Sequence, residues 1–159
     1  MIGRLAVRQF SHSQWLSVPP QKAFQFFECP ENLASVTPPQ LDFDLLSPSP
    51  VAMREGAVID YTIRRFGLRL RWRTLITQYQ PPESFVDEQL LGPYSLWRHE
   101  HRFVAEGSGT RMYDQVHYAL PNAIPGVLAD WLDKHYVRLQ LKHIFEYREQ
   151  RFAELIGTE

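Results

Sequence analysis

The stretch LWRHEHRF, residues 96 to 103, places two histidines one residue apart. Apolar and polar residues alternate through it, the signature of a β-strand. Trp97, His99, His101 and Phe103 then share one face, and Leu96, Arg98, Glu100 and Arg102 the other. The charged face belongs in water, so the histidine face is the buried one. The loop EGSG leads into a second strand, TRMYDQVHYAL. A hairpin through that loop sets Phe103 against Met112, His101 against Asp114, His99 against Val116 and Trp97 against Tyr118. The face thus joins aromatic rings to two imidazoles and one carboxylate.

Three chemistries suit such a face. An Asp that accepts a hydrogen bond from an imidazole fixes its tautomer and raises its basicity. His101 and Asp114 are therefore the candidate catalytic pair for a proton transfer, as in a cyclisation or dehydration. Two imidazoles on alternate strand positions stand about 6–7 Å apart at Cβ and can share a zinc ion, with Asp114 supplying an oxygen. A third strong ligand is not evident, because His12 has no readable register to this region and His117 lies on the opposite face. No metal and no cofactor are expected. The third chemistry is a binding pocket, mostly apolar with a few placed hydrogen-bonding groups. Tyr61, Trp72, Trp97, Phe103, Met112 and Tyr118 supply walls, and His99, His101 and Asp114 supply anchors. The residue pattern favours this reading over the catalytic one. A closed core in which the histidines satisfy Asp114, with no ligand, uses the same residues.

Some positions stay open. Asp87 and Gln89 in FVDEQ reach the same interior only if the Gly92-Pro93 connection gives an even pairing sum. A two-residue turn sets Asp87 opposite Arg98 on the wet face instead. Arg148 either snorkels from the edge of its helix or reaches into a cavity. Cys29 has no activating partner nearby and reads as a small half-buried side chain. There is no Gly-x-Ser-x-Gly nucleophile elbow.

These side chains need elements to hold them. Residues 4 to 16 read as a first strand. PPQKAFQFFECP starts a helix at its prolines and spaces Ala23, Phe26 and Phe27 helically, until Pro30 interrupts it. ENLASV is a second short helix, and LDFDLL a short strand. AVIDYTIRRF and RLRWRTLITQY flank Gly67 and Leu68. A turn at those two residues sets Phe66 against Arg69, Ile63 against Trp72, Tyr61 against Thr74 and Ile59 against Ile76. Arg64, Arg71, Arg73 and Asp60 gather on the wet side. SFVDEQLL is the next strand. Residues 125 to 156 form one long helix with Val137, Leu141, Ile144, Phe145, Phe152 and Leu155 as its apolar stripe. That helix is the only element large enough to cover the dry face of the sheet.

Composition sets outer bounds. The chain has 159 residues, with 44% apolar, 22% charged and 13% aromatic content. Those values predict one globular domain over 1–159. A net charge of -1 gives no electrostatic reason to expect nucleic acid or an anionic membrane as partner. One cysteine excludes an internal disulfide. No apolar run has the roughly 18 residues of a membrane span, and the first residues do not read as a signal peptide. A cytoplasmic protein is expected.

The blocks FFECPENLASVTPP, LRWRTLITQYQPPESFVDEQLLGPYSLWRHEHRF and GTRMYDQVHYALP, with IFEYR near the C-terminus, resemble the START-related (SRPBCC) superfamily. That superfamily includes plant pollen allergens and polyketide cyclase/dehydrase-like proteins. The chain is similar in particular to a bacterial branch of small ligand-binding-domain proteins. The resemblance implies an α+β helix-grip fold, a curved antiparallel sheet of about seven strands wrapped around a long C-terminal helix. It implies a cavity for a hydrophobic or amphipathic small molecule; some members are enzymes and others only carry ligands. A functional link to an epimerase-like protein is also implied, since some similar proteins are fused to such a domain. A protein-interaction module with no ligand remains the third alternative. Cavity size separates these readings, because a ligand domain should show a space of roughly 300 Å³ or more.

Overall fold

The computed structural model describes residues 5–65 and 67–156. Strand β1 (Arg8–Leu16) is followed by helix α1 (Pro20–Phe27) and two 3-10 turns, Pro30–Val36 and Pro39–Leu41. Six strands come next: β2 (Asp44–Leu45), β3 (Val58–Arg65), β4 (Leu68–Gln80), β5 (Ser84–Leu91), β6 (Leu96–Glu106) and β7 (Gly109–Ala119). The chain ends in helix α2 (Gly126–Leu132), a π turn (Asp133–Val137) and helix α3 (Arg138–Ile156), which run on as one continuous helical rod. The seven strands form one antiparallel sheet in the order β1-β7-β6-β5-β4-β3-β2. This is the helix-grip fold, with the sheet curved around the C-terminal helix. No described helix is long and apolar enough to cross a membrane.

The β6–β7 hairpin has the expected register, with Trp97 opposite Tyr118, His101 opposite Asp114 and Phe103 opposite Met112. The β3–β4 register differs by two residues, with Tyr61 opposite Trp72 and Ile59 opposite Thr74. The cause is the turn. Gly67 has a φ of 73°, a left-handed conformation that glycine adopts without steric cost. It is the last turn residue, so Leu68 already belongs to β4, opposite Arg65. Phe66 lies outside the described residues, as does residue 4 of the expected first strand. An even shift leaves every side chain on its expected face. On the wet side, Arg73 donates from Nε and Nη2 to the two carboxylate oxygens of Asp60, at 2.9 and 3.0 Å.

The β5–β6 connection settles the parity left open above. Asp87 lies opposite His99 and Phe85 opposite His101, an even pairing sum, so Asp87 is on the interior face. Gln89 clamps this connection instead of joining the interior site. Its Nε2 donates to the Tyr94 carbonyl at 2.7 Å, and its Oε1 accepts from the Tyr94 amide at 3.3 Å.

Two cores result. Phe24 and Phe27 of α1 pack with Leu16, Phe85, Phe103 and Met112 and with Phe152 of α3. Val137, Leu141 and Phe145 pack with Ile63, Trp72 and Val116. The buried residues of the rod are Ala129, Asp133, Val137, Leu141, Phe145, Arg148 and Phe152, one continuous inward stripe.

Candidate functional site

Between these cores, sheet and helix line a half-open cavity of about 170 Å³. This is smaller than the roughly 300 Å³ that typical ligand pockets lead one to expect. Ile59, Ile63, Trp72, Ile76 and Leu141 form apolar walls, and Pro30, Leu33 and Leu41 of the 3-10 turns close one side. A polar group of Tyr61, Asp87, His99, His101 and Arg148 also lines the space.

The expected binding residues divide. Tyr61, Trp72, Trp97, His99 and His101 line the cavity. Phe103 and Met112 do not, because α1 descends onto them and seals them into a closed core. Tyr118 does not line it either; its hydroxyl donates to Asp133 Oδ1 at 2.6 Å. Asp114 is buried to 1% exposure behind the two imidazoles, so it positions them and does not face the space itself. Asp87 and Arg148, left undecided by sequence, both line the cavity. Arg65 lines it as well, and its Nη2 donates to the Tyr94 hydroxyl at 3.3 Å. Its odd number, shared with Tyr61 and Ile63, was the signal that could have found it. Tyr94 comes from the β5–β6 connection, where no periodicity announces a cavity residue.

Among these polar residues, His99 Nε2 donates to Asp114 Oδ1 at 2.8 Å. His101 Nδ1 lies 3.1 Å from the same oxygen, though not in hydrogen-bond geometry. His101 Nε2 donates to Asp87 Oδ2 at 3.0 Å, and His99 Nδ1 lies 3.7 Å from that oxygen. Phe85 stacks on the His101 ring at 4.1 Å, and Phe145 meets His99 edge-on at 5.5 Å. Aromatic walls thus fix both imidazole planes.

Burial and charge act in opposite directions here. Burial, reinforced by the neighbouring His101, pushes the His99 pKa down. Burial also opposes charge on His101, but Asp114 and Asp87 outweigh it and the pKa rises. For Asp114, burial favours the neutral acid, yet the two imidazoles hold the carboxyl below its ordinary range. Arg148 is pushed down by burial against the pull of Asp114, Asp87 and Tyr61. Its guanidinium carbon sits 5.3 Å from the centroid of the Phe145 ring, and its Nε has no protein partner.

The other candidates fall outside the site. His12 lies opposite Asp114 in the β1–β7 ladder. Its ring stacks on Phe145 at 5.5 Å and its Nε2 approaches Glu149 at 3.3 Å, so it does not line the cavity. His117 is opposite Arg98, on the outer face as expected. The Cys29 thiol donates to Glu31 at 3.0 Å and its pKa is raised, chiefly by burial, which is the reverse of an activated nucleophile. Asp87, left undecided by sequence, comes beside the two imidazoles. Asp87 Oδ2 and one nitrogen each of His99 and His101 lie within 4.8 Å of one another.

Comparison with solved structures places this architecture. The chain is similar to SA2116, a protein of unknown function from Staphylococcus aureus, with a TM-score of 0.72 and 12% identity over 97% of this chain and 96% of that one. A START superfamily protein from Mycobacterium smegmatis gives 0.69 and 12% over 92% and 98%. The di-domain ARO/CYC BexL from the BE-7585A biosynthetic pathway gives 0.64 and 16% over 91% of this chain and 50% of that one. At these identities the likeness shows the fold. No curated protein matches the chain in sequence. The profile of one family, polyketide cyclase / dehydrase and lipid transport, matches residues 16–145, and the chain belongs to that family.

Proposed function

We propose that the chain binds a small amphipathic molecule, its apolar part among Ile63, Trp72 and Leu141 and its polar end against Arg148. The observation that carries this reading is the pair of buried donors at the cavity, Trp72 Nε1 and Arg148 Nε, neither with a protein partner. A buried donor left unpaired costs about 1–3 kcal/mol, more when charged, and a ligand oxygen removes that cost. The volume limits the size. A cavity of about 150 Å³ accommodates benzene, so about 170 Å³ suits one ring or a short branched chain. The guanidinium favours a carboxylate or similar anion at the polar end. This reading treats residues 1–159 as one ligand-binding domain.

The test is a fluorescence titration, read at Trp72 and Trp97, with single-ring carboxylates and their neutral amides. The expected result is saturable binding that prefers the carboxylate. Arg148→Met should weaken the carboxylate at least tenfold and leave the amide within about twofold, consistent with loss of one charge-assisted hydrogen bond. Absence of binding across such a panel, together with no small molecule in native mass spectrometry of the protein purified from its own host, would overturn the reading.

A further inference from the structure

We propose that Asp87, His99 and His101 form a site for a divalent transition-metal ion, with its open coordination positions facing the cavity.

The donor set comes first. His99 Nδ1, His101 Nε2 and Asp87 Oδ2 converge from adjacent strands β5 and β6. Metal–ligand bonds of about 2.0–2.1 Å in a tetrahedron put neighbouring donor atoms roughly 3.3 Å apart. Asp87 Oδ2 stands 3.0 Å from His101 Nε2 and 3.7 Å from His99 Nδ1, which brackets that spacing. One ligand atom from each of the three residues lies within 4.8 Å of the others.

The supporting groups point the same way. A ligating imidazole normally turns its second nitrogen to a carboxylate, which fixes the tautomer and raises basicity. Here Asp114 does this for His99 by a hydrogen bond and lies beside the second nitrogen of His101. Asp114 Oδ1 is 2.8 Å from His99 Nε2 and 3.1 Å from His101 Nδ1. These are the nitrogens not aimed at Asp87. Phe85 and Phe145 hold the ring planes.

Charge also permits a dication. Two carboxylates and the Arg148 guanidinium leave the cluster one net negative charge when both imidazoles are neutral. Two nitrogens and one oxygen, with no thiolate, match zinc, cobalt, nickel or ferrous iron better than calcium or magnesium. Three protein donors leave at least one position for water or a ligand oxygen, the arrangement of reactive metal sites as opposed to structural ones. The cavity that all three residues line can supply it.

The test uses the full chain freed of metal with a chelator, then titrated with Co²⁺ and competed with Zn²⁺. The expected result is one equivalent of cobalt with visible d–d bands, bleached by zinc. Asp87→Asn should weaken binding at least 100-fold. Asp114→Asn should weaken it about 10–100-fold through the imidazoles alone. His117→Ala, on the outer face of the sheet, should change nothing. Circular dichroism confirms folding of each variant, and Asp87→Asn, isosteric and at the cavity edge, is the decisive one. No saturable cobalt spectrum in the wild type, or one that survives Asp87→Asn unchanged, would overturn the proposal and leave the cluster a buried ion-pair network. No organic ligand enters this titration, so its failure and the failure of the cavity-binding reading are separate results.

Discussion

His99 and His101 sit two residues apart and share one carboxylate, yet their surroundings push them in opposite directions. His101 lies between Asp87 and Asp114; His99 rests chiefly on Asp114. Asp114 is thus the residue on which both depend. Asp114→Ala should destabilise the protein by roughly 3–5 kcal/mol, because it strands two buried polar rings. Asp87→Ala, at the cavity edge where water can replace it, should cost less than half as much. Urea denaturation of both variants checks this, and equal losses would contradict the assigned roles. The His101–Asp114 pairing was legible in the hairpin arithmetic. The shorter contact from His99 was not, because register names the residue directly opposite, Val116, whereas long side chains also meet diagonal neighbours. Arg148 was ambiguous for a similar reason. Helical spacing gives its direction but not the depth of the space in front of it.

At the level of elements, one wall of the cavity depends on the 3-10 turn Pro30–Val36. Its Glu31 carboxylate accepts from the Ser49 hydroxyl at 2.9 Å, the Val51 amide at 2.8 Å and the Cys29 thiol at 3.0 Å. One side chain therefore ties the turn to the segment between β2 and β3. The Cys29 hydrogen bond, followed by those from the backbone and Ser49, holds the Glu31 pKa down to about 2 from 4.5. A carboxyl with a depressed folded pKa stabilises the fold fully above its unfolded value and loses that contribution as pH falls. Thermal stability should therefore decline between about pH 4.5 and 2, and Glu31→Gln should flatten that part of the profile while lowering stability at pH 7. A melting series of the two proteins is the check; parallel profiles would refute it. None of this was readable in the sequence, where Cys29 and Glu31 merely flank a proline. The strand order and faces were readable, because alternation with period two survives even when a turn slips by two residues, as at Gly67.

For the whole molecule, the C-terminal rod covers the dry face of the sheet, with α1 packed at one end. Ile63 and Trp72 are buried against Val137, Leu141 and Phe145. Each such side chain contributes about 1.5–3 kcal/mol by burial. Truncation after Pro121 exposes enough of them to exceed the 5–15 kcal/mol by which a domain is stable. The 1–121 fragment should be insoluble or show no cooperative transition in calorimetry. A sharp melt would break the architecture described here. A cavity was expected from the resemblance to the helix-grip superfamily and from the polar groups on the dry face. Its volume was not legible, because it depends on how far Leu33 and Leu41 settle into the opening.

The rod keeps its own calendar. From Ala129 to Phe145 its inward residues fall every fourth position, at 129, 133, 137, 141 and 145. A regular α-helix completes a turn in about 3.6 residues, so a strict count of four drifts away from the core a little with each turn. The wider turn at Asp133–Val137 is the intercalated day that absorbs most of the drift. It lets Asp133 meet Tyr118 and Arg138 while Arg148, three turns on, still comes due at the cavity. Slack in the count exists at that one place. A residue gained or lost after Val137 would misdate everything that follows.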